Sequence, residues 1–234
     1  MNNYTLIIGG GSDLGKELIL DLIHNEQKII SISRKNQKEF NHYNNYKNYE
    51  YNFVNQNHFD DVGNEIYKSH GVPKNIVHFV SKKIQFKNFK SNQWSDFEEE
   101  LRVGLKSMVE SLRFFLPLMA KEKKGKVVII LSSLTEKTHT SFLSHYITSK
   151  YAMLGLTKSL VAEYGRYNIQ INALSPSMFE SKFLSEVDIN LIDLIKSKQN
   201  NKNFLDTKKI IRSINFLLSN KSDFISGVNL LIEK

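Results

Sequence analysis

A chain of 234 residues that is 41% hydrophobic and 24% charged, with 11 Gly and 3 Pro, has the make-up of one globular domain, which excludes collagen-like, linker-like and mainly disordered classes. Lys and Arg number 32 against 24 Asp and Glu, a formal charge of +8, but the lysines are scattered and no helix-turn-helix, zinc or aromatic RNA-binding motif accompanies them, so they read as solvated surface and not as a nucleic-acid footprint. Cysteine is absent, no apolar run approaches the roughly 18 residues needed to span a bilayer, and the start lacks the cationic stretch of a secretory signal; the expectation is a cytoplasmic protein without disulfides, thiolate chemistry or a membrane anchor.

Tyr4 to Ile8 is a short β-prone run ending in Gly9-Gly10-Gly11, and Leu14, Leu18, Ile19, Leu22 and Ile23 follow at helical spacing: strand, tight turn, helix. Lys28 to Ser33 reads as a second strand, Tyr49 to Val54 as a third, Phe59 to His70 as a helix and Asn75 to Val80 as a buried strand. Trp94 to Glu122 carries apolar residues at helical spacing from Phe97 to Leu116, with Pro117 expected to kink it. Lys126 to Leu131 is the most concentrated strand signal. Tyr146 to Tyr164 is an amphipathic helix and Ile169 to Leu174 a strand, whereas residues 177–203 are polar and weakly periodic, the candidate substrate lid. Ile210 to Leu218 makes a last helix and Gly227 to Ile232 a closing strand. Strands alternating with helices of this length predict an α/β, doubly wound parallel sheet with helices on both faces, in a single domain.

In such a sheet a Gly-rich first turn lets backbone N–H groups and a helix N-terminus face a diphosphate. Gly9, Gly11, Ser12, Asp13, Leu14 and Gly15 occupy that place, although Gly-rich turns also serve purely structural needs. Asp13 beside a diphosphate would be repulsive unless it turned back to cap the helix, which is its expected role. At the end of the second strand Arg34 stands where a carboxylate would select a free ribose 2'-hydroxyl; a cation there favours a 2'-phosphate, hence NADP over NAD, the alternative being one more exposed arginine. Asn52 is placed to hydrogen-bond an adenine edge, though a polar residue at a strand end needs no function.

Ser132-Ser133 ends a buried strand, and Tyr146 and Lys150 follow at i and i+4 on one helical face. A lysine ammonium beside a phenol stabilises the phenolate and pulls the Tyr146 pKa down toward neutrality, as a general acid or base requires. Ser133, thirteen residues before Tyr146, can hold a substrate oxygen at the same point.

With these residues in place the sequence resembles the classical short-chain dehydrogenase/reductases over nearly its whole length. The resemblance rests on the Gly9 to Gly15 turn, Ser133, Tyr146, Lys150, the run Lys150 to Leu160, Ile171-Asn172-Ala173-Leu174-Ser175-Pro176 and the late Phe216 to Ser219 with Ser226-Gly227. It implies a Rossmann-type fold, a nicotinamide cofactor, NADP(H) favoured, and exchange of hydride with a small-molecule carbonyl or alcohol. Ser133, Tyr146 and Lys150 would be catalytic: Tyr146 would protonate the carbonyl oxygen, Ser133 polarise it, and Lys150 bind the nicotinamide ribose. Pro176 and Ser181 would lie against the carboxamide, and a homodimer or homotetramer would form through the long helices. The candidate substrates are 3-oxoacyl thioesters, sugars and small ketones.

The sequence departs from the family at two places near this chemistry. The family's Asn-Asn-Ala-Gly is His78-Phe79-Val80-Ser81, and the helix Asn that completes its tetrad falls at Gly104. Water fills that space, another group substitutes, or the chain is a nucleotide-binding scaffold that has lost turnover. The seven histidines include no metal-binding spacing, so no metal site is expected; His145 reads as a loop or rim group. Glu98, Glu99 and Glu100 read as a solvated helix face and Trp94 as a packing anchor, while Phe179, Phe183 and Leu184 line an apolar pocket or staple a short helix.

Overall fold

Strand β1 (Tyr4–Ile8) is buried at every residue because it runs down the middle of a sheet covered on both faces. The computed structural model describes residues 3–136, 141–179 and 204–233. Within them, β2 (Lys28–Ser33), β3 (Tyr46–Glu50), β4 (Asn75–His78), β5 (Gly125–Ile130), β6 (Ile169–Pro176) and β7 (Asn229–Ile232) join β1 in one seven-stranded sheet of order β3-β2-β1-β4-β5-β6-β7. Every pairing is parallel. The chain builds outward from β1 to β3, then crosses back to lay β4 on the other side of β1. That reversal opens a crevice at the carboxyl ends of β1 and β4, where ligands bind in open α/β sheets.

The period of two along the strands sorts their side chains between two cores. Leu6, Ile8, Ile30 and Ile32 face one, closed by α2 (Phe59–His70), α4 (Ser107–Glu122) and α5 (Ser144–Tyr164) through Phe59, Ile66, Met108, Leu112, Phe115 and Met153. Ile7, Ile29, Val77 and Val128 face the other, closed by α1 (Asp13–His24) and α6 (Thr207–Leu218) through Leu14, Leu18, Leu22, Ile210 and Ile214. Phe115 is wholly buried, and truncating it to Ala would cost about 3–5 kcal/mol. Among the described residues no helix is long and apolar enough to cross a membrane.

Two elements differ from the sequence reading, and a third lies mostly outside the described residues. The third strand is Tyr46–Glu50, not Tyr49 to Val54: Tyr51 and Phe53 leave the sheet to pack edge-on with each other, Tyr51 edge-on to Phe59 and Phe53 stacked on it, and Asn52 turns the chain. The long helical stretch divides into α3 (Trp94–Leu101), a π-helical segment over Arg102–Lys106, and α4. The break therefore falls around Gly104, and α4 continues through Pro117, whose freed carbonyl partner, that of Arg113, belongs to an exposed residue. Of the expected lid, Ser177 to Phe179 are described, with Phe179 bridged to Leu205, and residues 180–203 lie outside the described residues; so do Ser181, Phe183 and Leu184.

Candidate active site

The turn after β1 is shaped by glycine. Gly9 sits at φ +88°, and a Cβ there would come 2.9 Å from the Val80 nitrogen; a Cβ on Gly15 would come 2.9 Å from the Gly9 carbonyl oxygen. The helix cap is Ser12, not Asp13. The Ser12 Oγ accepts from the Gly15 N–H at 3.1 Å and donates to the Gly9 carbonyl at 3.0 Å, leaving Asp13 as the first residue of the helix, where its charge suits the dipole.

Beyond the end of β2, Arg34 is exposed and has no ion-pair partner among the described residues, so its guanidinium is free to meet an anion. Gln37 is buried and comes close to Gly11, narrowing the space beside the turn. Asn52 does not stand in a strand: its Oδ1 accepts from the Val54 N–H at 3.1 Å, so its acceptor is committed to the local turn.

The strand ends and α5 bring four side chains together. Ser132, Ser133, Tyr146 and Lys150 line one cavity of about 140 Å³, which continues to Ser12, Asp13 and Leu14 on one side and to Pro176, Ser177 and Phe179 on the other. Lys150 Nζ lies 5.6 Å from the centre of the Tyr146 ring and donates to the Ile130 carbonyl at 3.3 Å. The hydroxyl that reaches Tyr146 is that of Ser132; Ser133 opens a 3₁₀ turn and lines the same cavity. Spacing to Tyr146 singled out Ser133. Counting from the start of β5, which fixes where the strand must end, would have singled out Ser132.

The electrostatics depart from the expected phenolate. Burial pushes the Tyr146 hydroxyl up to about 12, the Ser132 hydrogen bond opposes this and the Glu100 charge adds to it. Burial likewise pulls Lys150 down to about 8, against the pull of Glu100. Burial outweighs the Ser132 hydrogen bond at Tyr146 and the Glu100 charge at Lys150, so at neutral pH Tyr146 is a loaded proton donor beside an ammonium.

Gly104 faces α5, where a Cβ would lie 3.0 Å from Ser149 Oγ and 3.1 Å from Met153 Sδ, so protein atoms occupy the space the family's Asn would need. Ser107 shares its one hydroxyl hydrogen between the carbonyls of Val103 (2.6 Å) and Gly104 (2.9 Å) and accepts from His78 Nε2 at 3.0 Å, which secures the π segment to β4. Burial, with the Lys150 charge behind it, pulls His78 down to about 3 and keeps the ring neutral.

Glu100 is buried at 2% exposure, unlike its exposed neighbours Glu98 and Glu99. The run of three glutamates hid this, yet Glu100 stands three residues after Phe97 and four before Gly104, on the inward stripe of an amphipathic helix. His145 is also buried, edge-on to Phe97 at 6.2 Å, and not at the rim. Trp94 is 71% exposed and stacks on Phe97, so it anchors little. Phe179 lines the cavity. Among the described residues no cluster of His, Asp or Glu could hold a metal ion.

The family model described as enoyl-(acyl carrier protein) reductase matches residues 18–234. Xanthoxin dehydrogenase of Arabidopsis thaliana is 29% identical over 150 residues, which are 59% of this chain and 52% of that protein. The chain thus spans about half the length of the curated relatives it matches. Two solved structures share the fold over nearly the whole chain. ElxO with NADP bound is 24% identical with a TM-score of 0.88, covering 99% of this chain and 97% of that one. A 4-hydroxyisoleucine dehydrogenase mutant complexed with NADH and succinate is 21% identical with a TM-score of 0.89, covering 98% and 96%.

Proposed function

Because the chain belongs to the classical short-chain dehydrogenase/reductase family, we propose that it is an NAD(P)-dependent oxidoreductase that uses NADPH to reduce a small-molecule ketone. The observation that carries this reading is the single cavity in which Ser132, Tyr146 and Lys150 converge and which runs on to the Gly-rich turn. The turn fits a dinucleotide: side chains at Gly9 and Gly15 would close it against Val80 and Gly9 itself, so the backbone is left open to a diphosphate. Gly9, Gly11, Ser12, Leu14 and Gly15 would hold the diphosphate side, Arg34 a 2'-phosphate, and Lys150, Pro176 and Ser181 the nicotinamide side. The bound cofactor supplies the hydride.

The protein's own residues supply the proton and the orientation. Tyr146, a phenol throughout the neutral range, donates its proton to the carbonyl oxygen as negative charge builds there. A serine hydroxyl donates to the same oxygen and fixes its position. Ser133 is the serine nominated by spacing; the Ser132 bond to Tyr146 favours Ser132. Lys150 stabilises the phenolate that remains. Phe79, Ile84, Phe86, Leu143 and Met178 make the cavity wall apolar, which excludes water and suits a substrate with a hydrocarbon body.

Exposed Val109 on α4 and Tyr151 on α5 support a homodimer or homotetramer through the long helices. The competing reading, a scaffold without turnover, draws on Gly104 and on His78-Phe79-Val80-Ser81 in place of the family's Asn-Asn-Ala-Gly; at Gly104 the space is filled by Ser149 and Met153. The test is oxidation of NADPH across a panel of 3-oxoacyl thioesters, sugars and small ketones, with Ser132→Ala and Ser133→Ala measured beside the parent. Turnover in the parent with a loss of about 10²-fold or more in Ser132→Ala is expected. NADPH binding without oxidation of the cofactor by any carbonyl in the panel would count for the scaffold.

A further inference from the structure

We propose that Glu100 is a positioning residue, whose buried carboxylate holds Lys150 in the ammonium form behind Tyr146. Glu100 is not among the residues lining the cavity, and its charge reaches both members of the pair there, raising Lys150 and Tyr146 alike. The inference rests on the reading of Tyr146 as proton donor and Lys150 as its cation.

A carboxyl buried to 2% exposure needs compensation, and Glu100 lacks the usual kind: its Oε1 is buried with no hydrogen-bond partner. The charges facing it come from three elements. Lys82 follows β4, Lys150 and Tyr146 stand on α5, and Glu99 is its neighbour on α3. His145, also on α5, responds to Asp96, Lys82 and Lys87 instead. The Lys82 ammonium is already occupied by Glu99 and by Gln85. Lys150 is different. Its hydrogen bond goes to the neutral Ile130 carbonyl, and Glu100 is the one carboxylate among the described residues that acts on it. Glu100 is therefore the counter-charge of Lys150, although Glu100 itself feels Lys82 first and Lys150 second.

The backbone holds the two side chains in step. Ser149 Oγ donates to the Glu100 carbonyl at 3.1 Å, which ties the end of α3 to the residue preceding Lys150. Gly104, one turn further on, lets α5 approach closely enough for this bond to form. An ammonium buried without a counter-charge gives up its proton, and a neutral amine beside Tyr146 would no longer stabilise the phenolate left by proton donation. Lys150 stands at about 8 with Glu100 in place, so it has little margin above neutrality. Glu100, pushed up to about 7 by burial, is ionised only over the upper part of the working range, where Lys150 most needs its charge.

The experiment follows the Lys150 side chain directly, by carbon-13 NMR of lysine-labelled full-length protein against pH, the signal being assigned by its loss in Lys150→Arg. Glu100→Gln should lower the Lys150 midpoint by about one pH unit or more, and the alkaline limb of kcat should move down with it. Glu100→Asp, which keeps a carboxylate at a greater reach, should move both by less in the same direction; it also serves if Glu100→Gln does not fold. A Lys150 midpoint within about 0.3 of the parent's in a folded variant would overturn the proposal. Turnover missing from the parent would overturn the carbonyl-reductase reading, whereas a shifted Lys150 midpoint in that same protein would still support the hold of Glu100 on Lys150.

Discussion

Lys150 Nζ stands 5.6 Å from the centre of the Tyr146 ring, close enough for its charge to be felt at the phenol yet bonded elsewhere, to the Ile130 carbonyl. The two groups change protonation at well-separated pH, about 8 for Lys150 and about 12 for Tyr146. Carbonyl reduction requires phenol and ammonium together. Its rate should therefore hold level through neutrality and fall as pH rises through about 8, with Lys150 as the titrating group. A pH profile of kcat measures this, and a rate still climbing at pH 9 would speak against the assignment.

Restoring an asparagine at position 104 should harm the enzyme. Its Cβ would press on Ser149 Oγ at 3.0 Å and Met153 Sδ at 3.1 Å, displacing the hydroxyl that ties α3 to α5. Gly104→Asn should lose about 1–3 kcal/mol in denaturant unfolding and lower kcat. A gain in turnover at unchanged stability would mean that Gly104 is a defect in the site and not part of its packing.

Arg34 is exposed and free of ion pairs among the described residues, so its removal should leave the fold alone. Arg34→Ala should weaken NADPH about tenfold or more, the value of a charge-assisted bond to phosphate, with NADH changed less than about twofold. Fluorescence titration with both cofactors decides the point. Equal losses would remove the argument for NADP.

His78 makes stability depend on acid. Its folded pKa of about 3 lies below the ordinary 6.5, so the unfolded chain binds one more proton between those values; stability is complete above 6.5 and is lost as pH falls toward 3. Glu100 works the other way. Its pKa is raised from 4.5 to about 7, so between those values the folded chain holds the extra proton and stability drops as pH rises. The two oppose each other from pH 4.5 to 6.5. Glu100→Gln should therefore lose stability on acidification through this window more steeply than the parent, by on the order of 1–3 kcal/mol in urea unfolding. Identical slopes would contradict the assignment of Glu100.

Much of the architecture was legible because its signals are periodic. The largely apolar β1 and β5 and the helical stripes of α1 and α2 left few alternatives, and the Tyr146–Lys150 spacing put both groups on one helical face. What escaped depends on tertiary contacts. Tyr51 and Phe53 have strong strand propensity but are drawn off to the ring of Phe59, so β3 ends sooner than the run of aromatic residues suggests. Asp13 and Ser12 are both good caps, and only the backbone path decides between them. Glu100 looked like surface because its charge was counted before its place on the helix. The expected lowering of the Tyr146 pKa failed because a sequence lists the neighbouring lysine but not the depth of burial.

The most direct test of the account is Tyr146→Phe, which removes one oxygen from a buried ring and leaves the cavity wall in place. NADPH affinity and single-turnover oxidation of NADPH by an active ketone should be measured side by side in the parent and the variant. The account predicts NADPH affinity within a few-fold of the parent and a rate of turnover lower by about 10²–10⁴-fold. A variant that binds NADPH and turns over at the parent's rate would contradict it.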